Sequence, residues 1–308
     1  MILLCGIPTE PPVAMVTEAL EKLGAPFRVF NQRHFADTHL VYEITNGAVD
    51  GWLELDGEGI PLASITGVYL RLMDHARLPE LTELAKAAPE RVACQALHDT
   101  LVRWSEIAPA HVVNRTAAMA SNNSKPYQAQ LIRAHGFEVP ETLITNEPAL
   151  VRKFRAHHGR IIYKSISGVR SIVQTFQDGD LARLELIRWC PVQFQAYIPG
   201  TDVRVHVVGR EVFPTEIASA ATDYRYASQQ VGAAAELKET RLPIEVEAKC
   251  ARLAQALGLA FSGIDLRITP DRRVYCFEVN PCPGFSYFEA NTGQPISHAV
   301  ARHLAAED

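Results

Sequence analysis

Over the first hundred residues, short apolar runs bounded by turn formers alternate with stretches whose apolar residues return every three or four positions. The run Met1-Ile-Leu-Leu-Cys5 predicts a buried strand. Residues 12–23 follow a helical period, and Gly24 stands where a left-handed closing residue belongs. A second strand is expected at 27–31, a hairpin over 40–56 from Val41, Tyr42, Trp52, Leu53 and Leu55, and another strand at 64–72. Residues 89–106 read as a helix carrying Val92, Leu97, Leu101, Val102 and Trp104. The sum is a small α/β lobe. No GxGxxG follows its first strand, so the dinucleotide fingerprint is absent.

From about Asn114 the grammar changes. The pattern predicts a helix opened by Ser124-Lys-Pro126 and running to Gly136, a strand at 140–144, and a helix over 146–157 with Pro148 in its first turn and Gly159 closing it. A strand at 160–164, a loop over 165–171 and a returning strand at 172–176 come next. Further strands are expected at 192–198, 204–208 and 211–218, then a helix over 244–257 capped by Gly258. A hairpin of 262–268 with 274–279, a loop and a last helix complete the chain.

The final strand contains an anomaly. In Cys276-Phe-Glu-Val-Asn280 two polar residues interrupt an apolar run, and residues two apart share a face of a strand. Thr269–Arg273 has strong turn chemistry, and a four-residue loop at 270–273 places Asp265 opposite Glu278. A slip of one residue would separate them. In that register Asp265, Glu278 and Asn280 form one oxygen-rich face. Adjacent carboxylates repel unless a cation or a proton sits between them, and this donor set suits Mg²⁺ shared with phosphate. An ordinary solvated polar face fits the same pattern.

Two lysines bear on the choice. Lys125 stands at a helix start, where the helix dipole disfavours a cation by roughly 0.3–1 kcal/mol and a bound anion would reverse that sign. Lys164 ends an apolar strand and precedes the small-residue loop Ser165–Ser171, whose backbone N–H groups could approach phosphate closely. Either lysine alone also fits a side chain snorkelling to the surface.

Composition narrows the class. The 308 residues are 47% hydrophobic and 21% charged, and that length suggests two or three lobes. A net charge of −5 gives no electrostatic case for nucleic acid or an anionic membrane. No apolar run approaches the ~20 residues of a spanning helix, and the amino end lacks a basic signal region. The six cysteines are scattered without a CxxC pair, which fits reduced thiols in a cytoplasmic protein. Neither GxxxxGK[ST] nor a kinase HRD or DFG set is present.

Taken in order, NNSKPYQAQLIRAHGFEVPET, IIYKSISG, FQAYIPGTDVRVHVVG, DYRY, LGLAFSGIDLR and FEVNPCPGFSYFEANTG resemble the ATP-grasp superfamily over about residues 114–300. They look closest to the branch joining ribosomal-protein glutamate ligases with the macrocyclases of microviridins and other graspetides. The first lobe, with GVYLRL at 67–72, looks like the pre-ATP-grasp domain of the macrocyclases. The resemblance implies an α/β chain of the α+β ATP-grasp type. Its parts would be a pre-ATP-grasp domain at 1–113, a small lobe at 114–194 and a catalytic lobe at 195–308, with ATP between the two lobes.

By the same resemblance Lys125 and Lys164 would hold the α- and β-phosphates, with Ser165, Ser167 and Gly168 in the loop closing over them. Gln195–Ile198 would be the hinge, reading adenine through backbone groups of Ala196 and Ile198 while Tyr197 and Ile162 pack near the ring. Asp265, Glu278 and Asn280 would hold two Mg²⁺ ions. Arg204 would approach the γ-phosphate and the acyl phosphate, and Arg267, on Asp265's strand face, would contact phosphate or substrate. Asp223, Arg225 and Gly284 are the substrate candidates. Three departures stand out: Ala196 where relatives often carry Glu, no carboxylate for the ribose in Pro199-Gly-Thr201, and one glycine in the phosphate loop.

The implied activity is ADP-forming ligation of a carboxylate to an amine or hydroxyl through an acyl phosphate. A ribosomal precursor peptide is the favoured substrate, and the resemblance admits a homodimer. A free amino acid or small carboxylate is the alternative, and a silent nucleotide-binding module is a reading of another class. Two side readings complete the expectations. Arg71 is expected in a surface pair, with a place facing the cleft from the first lobe as the alternative, and His157 and His158 at a helix end that favours positive charge rather than as metal ligands.

Overall fold

Leu3 and Cys5 enter one apolar core while Ile2 and Leu4 enter another, so the first strand is buried on both faces. That is why its sequence is a continuous apolar run rather than an alternating one. The computed structural model describes residues 1–166, 173–219 and 235–306. In chain order the first lobe runs β1 (Ile2–Gly6), α1 (Pro11–Leu23), β2 (Phe27–Asn31), β3 (His39–Thr45), β4 (Ala48–Leu55), β5 (Glu58–Pro61), β6 (Gly67–Leu70), α2 (Pro89–Ile107) and β7 (His111–Val113). A parallel sheet of order β2-β1-β6-β7 is joined by the antiparallel sheet β3-β4-β5. Gly24 closes α1 in the left-handed conformation at φ 70°. The strand expected at 64–72 is shorter, because Leu62–Ser64 turns as a 3₁₀ helix before it.

The second lobe consists of α3 (Lys125–Ala134), β8 (Thr142–Thr145), α4 (Pro148–His158), β9 (Ile161–Ser165), β10 (Gln174–Thr175) and β11 (Val192–Ala196). Its antiparallel sheet has the order β10-β9-β11-β8. Ile161 and Tyr163 pack with Phe176 and Phe194 on one face. By alternation Ile162 and Lys164 take the other face, beside their partners Gln195 and Gln193. The helical stretch Asp178–Trp189, which the pattern did not announce, covers the apolar face through Leu184.

The third part contains β12 (Thr201–Val208), β13 (Glu211–Ala218), β14 (Glu236–Glu239), α5 (Ile244–Ala256), β15 (Phe261–Ile268), β16 (Val274–Asn280), α6 (Ser286–Thr292) and α7 (Ile296–Ala305). Its sheet is antiparallel, of order β14-β13-β12-β15-β16. Val203, Val205, Val207, Ile264, Leu266, Cys276 and Val279 line the back face against α5 and Ile132 of α3. Arg204, His206, Asp265, Glu278 and Asn280 alternate onto the front.

Two boundaries differ from the expected domain scheme. Helix α7 returns to the first lobe, where Val300, Ala301 and Leu304 share a core with Ile2, Leu4, Val16 and Leu20. The first lobe therefore completes its core with the far end of the chain. A single last helix was expected, yet α6 and α7 are separate, divided by Gly293 at φ 73°. Among the described residues no helix is long and apolar enough to cross a membrane.

Candidate active site

Asp265 does oppose Glu278, but not by the route the sequence suggested. The hairpin loop holds five residues rather than four, since Ile268 pairs with Val274 and Leu266 with Cys276. One extra residue, Phe277, then bulges out of the ladder, and the register resumes with Asp265 against Glu278 and Gly263 against Asn280. The bulge decides which way the carboxylate points. Cys276 and Val279 both face the back core three positions apart, which strict alternation forbids, and the inserted residue returns Glu278 to the front.

Cations surround this carboxylate pair. Lys125, the first residue of α3, donates to Glu278 Oε1 and, at 2.7 Å, to Asn122 Oδ1. Arg204 donates from Nη1 to Asp265 Oδ1 at 2.6 Å, and its side chain is almost fully buried. Burial acts most strongly on Glu278 and would raise its pKa. Lys125, then Lys164 and Arg204, outweigh it and hold the carboxyl below its ordinary value. Asn280 Oδ1 accepts from the Cys282 N–H at 2.9 Å and keeps a second lone pair. His206 lies on the same front face, fully buried. Burial, with Arg204 beside it, holds its imidazole well below the ordinary value, so it is neutral at pH 7.

The hinge segment is already partly engaged. Ala196 donates its N–H to Glu141 O at 2.9 Å, and Tyr197 donates to Arg160 O at 3.1 Å. Gln195 Nε2 donates to Thr142 Oγ1 at 2.9 Å, and the Arg160 guanidinium lies 3.6 Å over the Tyr197 ring. Arg267 grips both oxygens of Asp202, at 2.7 and 2.8 Å, and donates its remaining nitrogen to Ile198 O at 3.0 Å. Arg267 thereby braces residues 195–198 against β12 with three of its five N–H donors, and two remain for a phosphate or substrate.

Other expected residues are placed unevenly. Ile162 is buried opposite Gln195, and Ser165 ends β9. Gly284 is exposed in the loop after β16. Ser167, Gly168, Asp223 and Arg225 lie outside the described residues. Arg71 is not in a simple surface pair. It bonds Glu10 at 3.1 Å and reaches from the first lobe to Pro283 O at 3.1 Å and Cys282 Sγ at 3.3 Å. His157 and His158 do end α4, and their ligand atoms gather with Glu141 within 4.8 Å of one another.

Two residues that shape the site were missed. Gln128, one turn beyond Lys125, is buried and exchanges hydrogen bonds with Val279, donating to its O at 2.8 Å and accepting from its N at 3.0 Å. It acts as a strand partner from a helix, clamping α3 to β16 between Glu278 and Asn280. Asn114, also buried, donates to Phe261 O and Pro281 O at 2.6 Å each and accepts from Phe261 N at 3.0 Å. Its one signal was its position where the sequence grammar changes.

Comparison with known proteins bears on this geometry. The sequence profile of the RimK-like ATP-grasp domain matches residues 122–304. A probable alpha-L-glutamate ligase of Xanthomonas oryzae pv. oryzae is 27% identical over 221 residues, covering 66% of this chain and 72% of the relative. Among solved structures, the ATP-grasp ligase PsnB complexed with minimal precursor, Mg and ADP is 29% identical at a TM-score of 0.78, covering 99% of this chain and 96% of PsnB. The RiPP-associated ATP-grasp ligase of Chryseobacterium gregarium, in complex with ADP and a leader and core peptide, has a TM-score of 0.84 at 23% identity, covering 100% of this chain and 97% of that one. The macrocyclase MdnC of Microcystis aeruginosa MRC, bound with precursor peptide MdnA, has a TM-score of 0.80 at 22% identity, with both chains fully covered. These last two likenesses concern the fold.

Proposed function

The chain belongs to the RimK-like ATP-grasp family and is an ATP-grasp ligase, and on that premise we propose that the carboxylate it activates belongs to a peptide. The observation that carries the site assignment is the Asp265–Glu278 pair on one sheet face, with Arg204 on Asp265 and Lys125, Lys164 and Arg204 holding Glu278 charged. Hard oxygen donors in a half-buried site suit magnesium, so Asp265, Glu278 and Asn280 are the residues to hold it, as two ions. Bound there, magnesium would supply charge neutralisation on the β- and γ-phosphate oxygens.

The chain's own residues would do the rest. Lys125 exchanges Glu278 for a phosphate, and Lys164 steadies the same phosphates from the opposing sheet. Ala196 N–H is engaged within the fold, which leaves the Ala196 carbonyl and the Ile198 backbone groups to read adenine. Ile162 and Tyr197 flank the ring. Arg204 neutralises charge as the substrate carboxylate attacks the γ-phosphorus and the bond to ADP breaks, leaving an acyl phosphate. An amine or hydroxyl then attacks the acyl carbon and phosphate departs, giving an amide or an ester, with the proton passing to solvent. Such transfer depends on positioning and electrostatics rather than a protein nucleophile. The thiol nearest the carboxylates, Cys276, is buried and pushed far up, away from the thiolate.

Support for a peptide comes from the degree of likeness to ligases solved with precursors. PsnB, solved with a precursor, is 29% identical at a TM-score of 0.78, whereas a D-alanyl-alanine synthetase covers the chain as fully at 16% identity and a TM-score of 0.58. The name of the glutamate ligases favours the second reading, a ligase that adds a free amino acid. ADP release, followed while acidic peptides and free amino acids are offered separately, distinguishes the two. The peptide reading expects release with peptide alone and a product lighter than its precursor by one water per bond. Release with free glutamate and none with peptide would overturn it.

A further inference from the structure

The catalytic sheet presents its front face in rows. Arg204, Asp265 and Glu278 stand in one row, and His206, Gly263 and Asn280 in the next. Gly263 interrupts the second row with no side chain at all. A mid-strand glycine is a liability of roughly 0.5–1 kcal/mol against alanine, through backbone entropy and lost packing. Nothing in the backbone demands it here, since Gly263 is not among the glycines with positive φ.

The demand comes from the space above it. A Cβ on Gly263 would lie 2.7 Å from Arg204 Cζ, 2.7 Å from Nη2 and 2.8 Å from Nε, its three nearest neighbours. Carbon and nitrogen in ordinary contact stand about 3.5–4 Å apart. Near-equal distances to three atoms of one guanidinium mean that its broad face rests on the glycine. The fourth atom, Nη1, is the one that bonds Asp265 Oδ1 at 2.6 Å. Rings line part of the surroundings. Phe288 lies 5.9 Å from Arg204 Cζ, and the His206 ring is wedged 4.9 Å from Phe288 and 6.2 Å from Phe261.

We propose that Gly263 is a positioning residue, whose missing side chain sets where the Arg204 guanidinium lies relative to Asp265 and to the transferred phosphoryl group. The proposal rests on the reading of Arg204 given above. An arginine head is the far end of a flexible side chain, so a methyl at position 263 displaces it while the sheet stays folded. A charge moved by about 1 Å from its working position lowers the rate by up to about 100-fold. Gly263→Ala should therefore stay folded and bind nucleotide, while kcat for ADP release falls about 10- to 100-fold.

A double-mutant cycle with Arg204→Ala separates this from a general effect on the sheet. With the guanidinium gone, adding Gly263→Ala should remove nothing further from kcat. Independent losses that multiply would overturn the proposal, as would wild-type kcat in Gly263→Ala. A crystal structure of Gly263→Ala supplies a readout without turnover. Arg204 should be displaced from Asp265, and an unmoved guanidinium would overturn the proposal even if the ligase reading stands. Conversely, a wild type that releases no ADP with any carboxylate counts against that reading, and the displacement still judges Gly263.

Discussion

Glu278 is a carboxylate that burial would neutralise and neighbouring cations keep charged. Because its pKa is below the ordinary value of 4.5 in the folded state, it contributes stability above the unfolded value, and that contribution fades as pH falls through the folded one. Lys125→Met should thus destabilise the protein by about 1–3 kcal/mol at pH 7. That is below the value for a fully buried pair, because the two side chains are 20% and 26% exposed. Urea denaturation across pH should show the gap from wild type closing below about pH 4, and a constant gap would contradict the assignment. Glu278→Gln should leave the fold intact and reduce ADP release on the order of 100-fold or more. At this scale the sequence was informative where charge conflicted with pattern: two acids on an apolar hairpin, a lysine at a helix start. It was silent where a polar residue serves backbone, as Gln128 and Asn114 do, because nothing in their neighbours marks which carbonyls they meet.

The elements show how a correct contact can be inferred from an incorrect path. The turn chemistry of Thr269–Arg273 located the hairpin, but the fold uses a longer loop and repays the residue as a bulge at Phe277. A bulge leaves no mark in a single strand's pattern, since it exists only relative to the partner. Seven-residue α6 was too short to display a helical period, while α1 and α5, each with a full apolar stripe, were plain. The docking of α3 on β16 is an element-level claim with its own test. Gln128→Leu removes both hydrogen bonds to Val279 and leaves two buried backbone groups unpaired. Stability should fall by about 2–4 kcal/mol by urea denaturation, and KM for ATP should rise because Lys125 loses its mooring. An unchanged midpoint would show that α3 is held by something else.

At the level of the whole molecule, the first lobe and the catalytic lobe are one packing unit. The shared core joins Ile2, Leu4 and α1 to Phe261, Phe285 and α7, and Arg71 ties the first lobe to the loop that follows Asn280. The lobes themselves were legible from the change of grammar near Asn114. Their union was not, because α7 carries an ordinary amphipathic pattern that does not say which surface it covers. Leu304→Ala should cost about 2–5 kcal/mol and lower a single unfolding transition in calorimetry. Two separate transitions would contradict the shared core.

The magnesium face is tested most directly by a crystal of the protein with a non-hydrolysable ATP analogue and Mn²⁺, read by anomalous scattering. Manganese density should lie between the Asp265 and Glu278 carboxylates, with Lys125 turned from Glu278 to phosphate. Manganese elsewhere, with the Lys125–Glu278 pair intact beneath the bound nucleotide, would contradict the account.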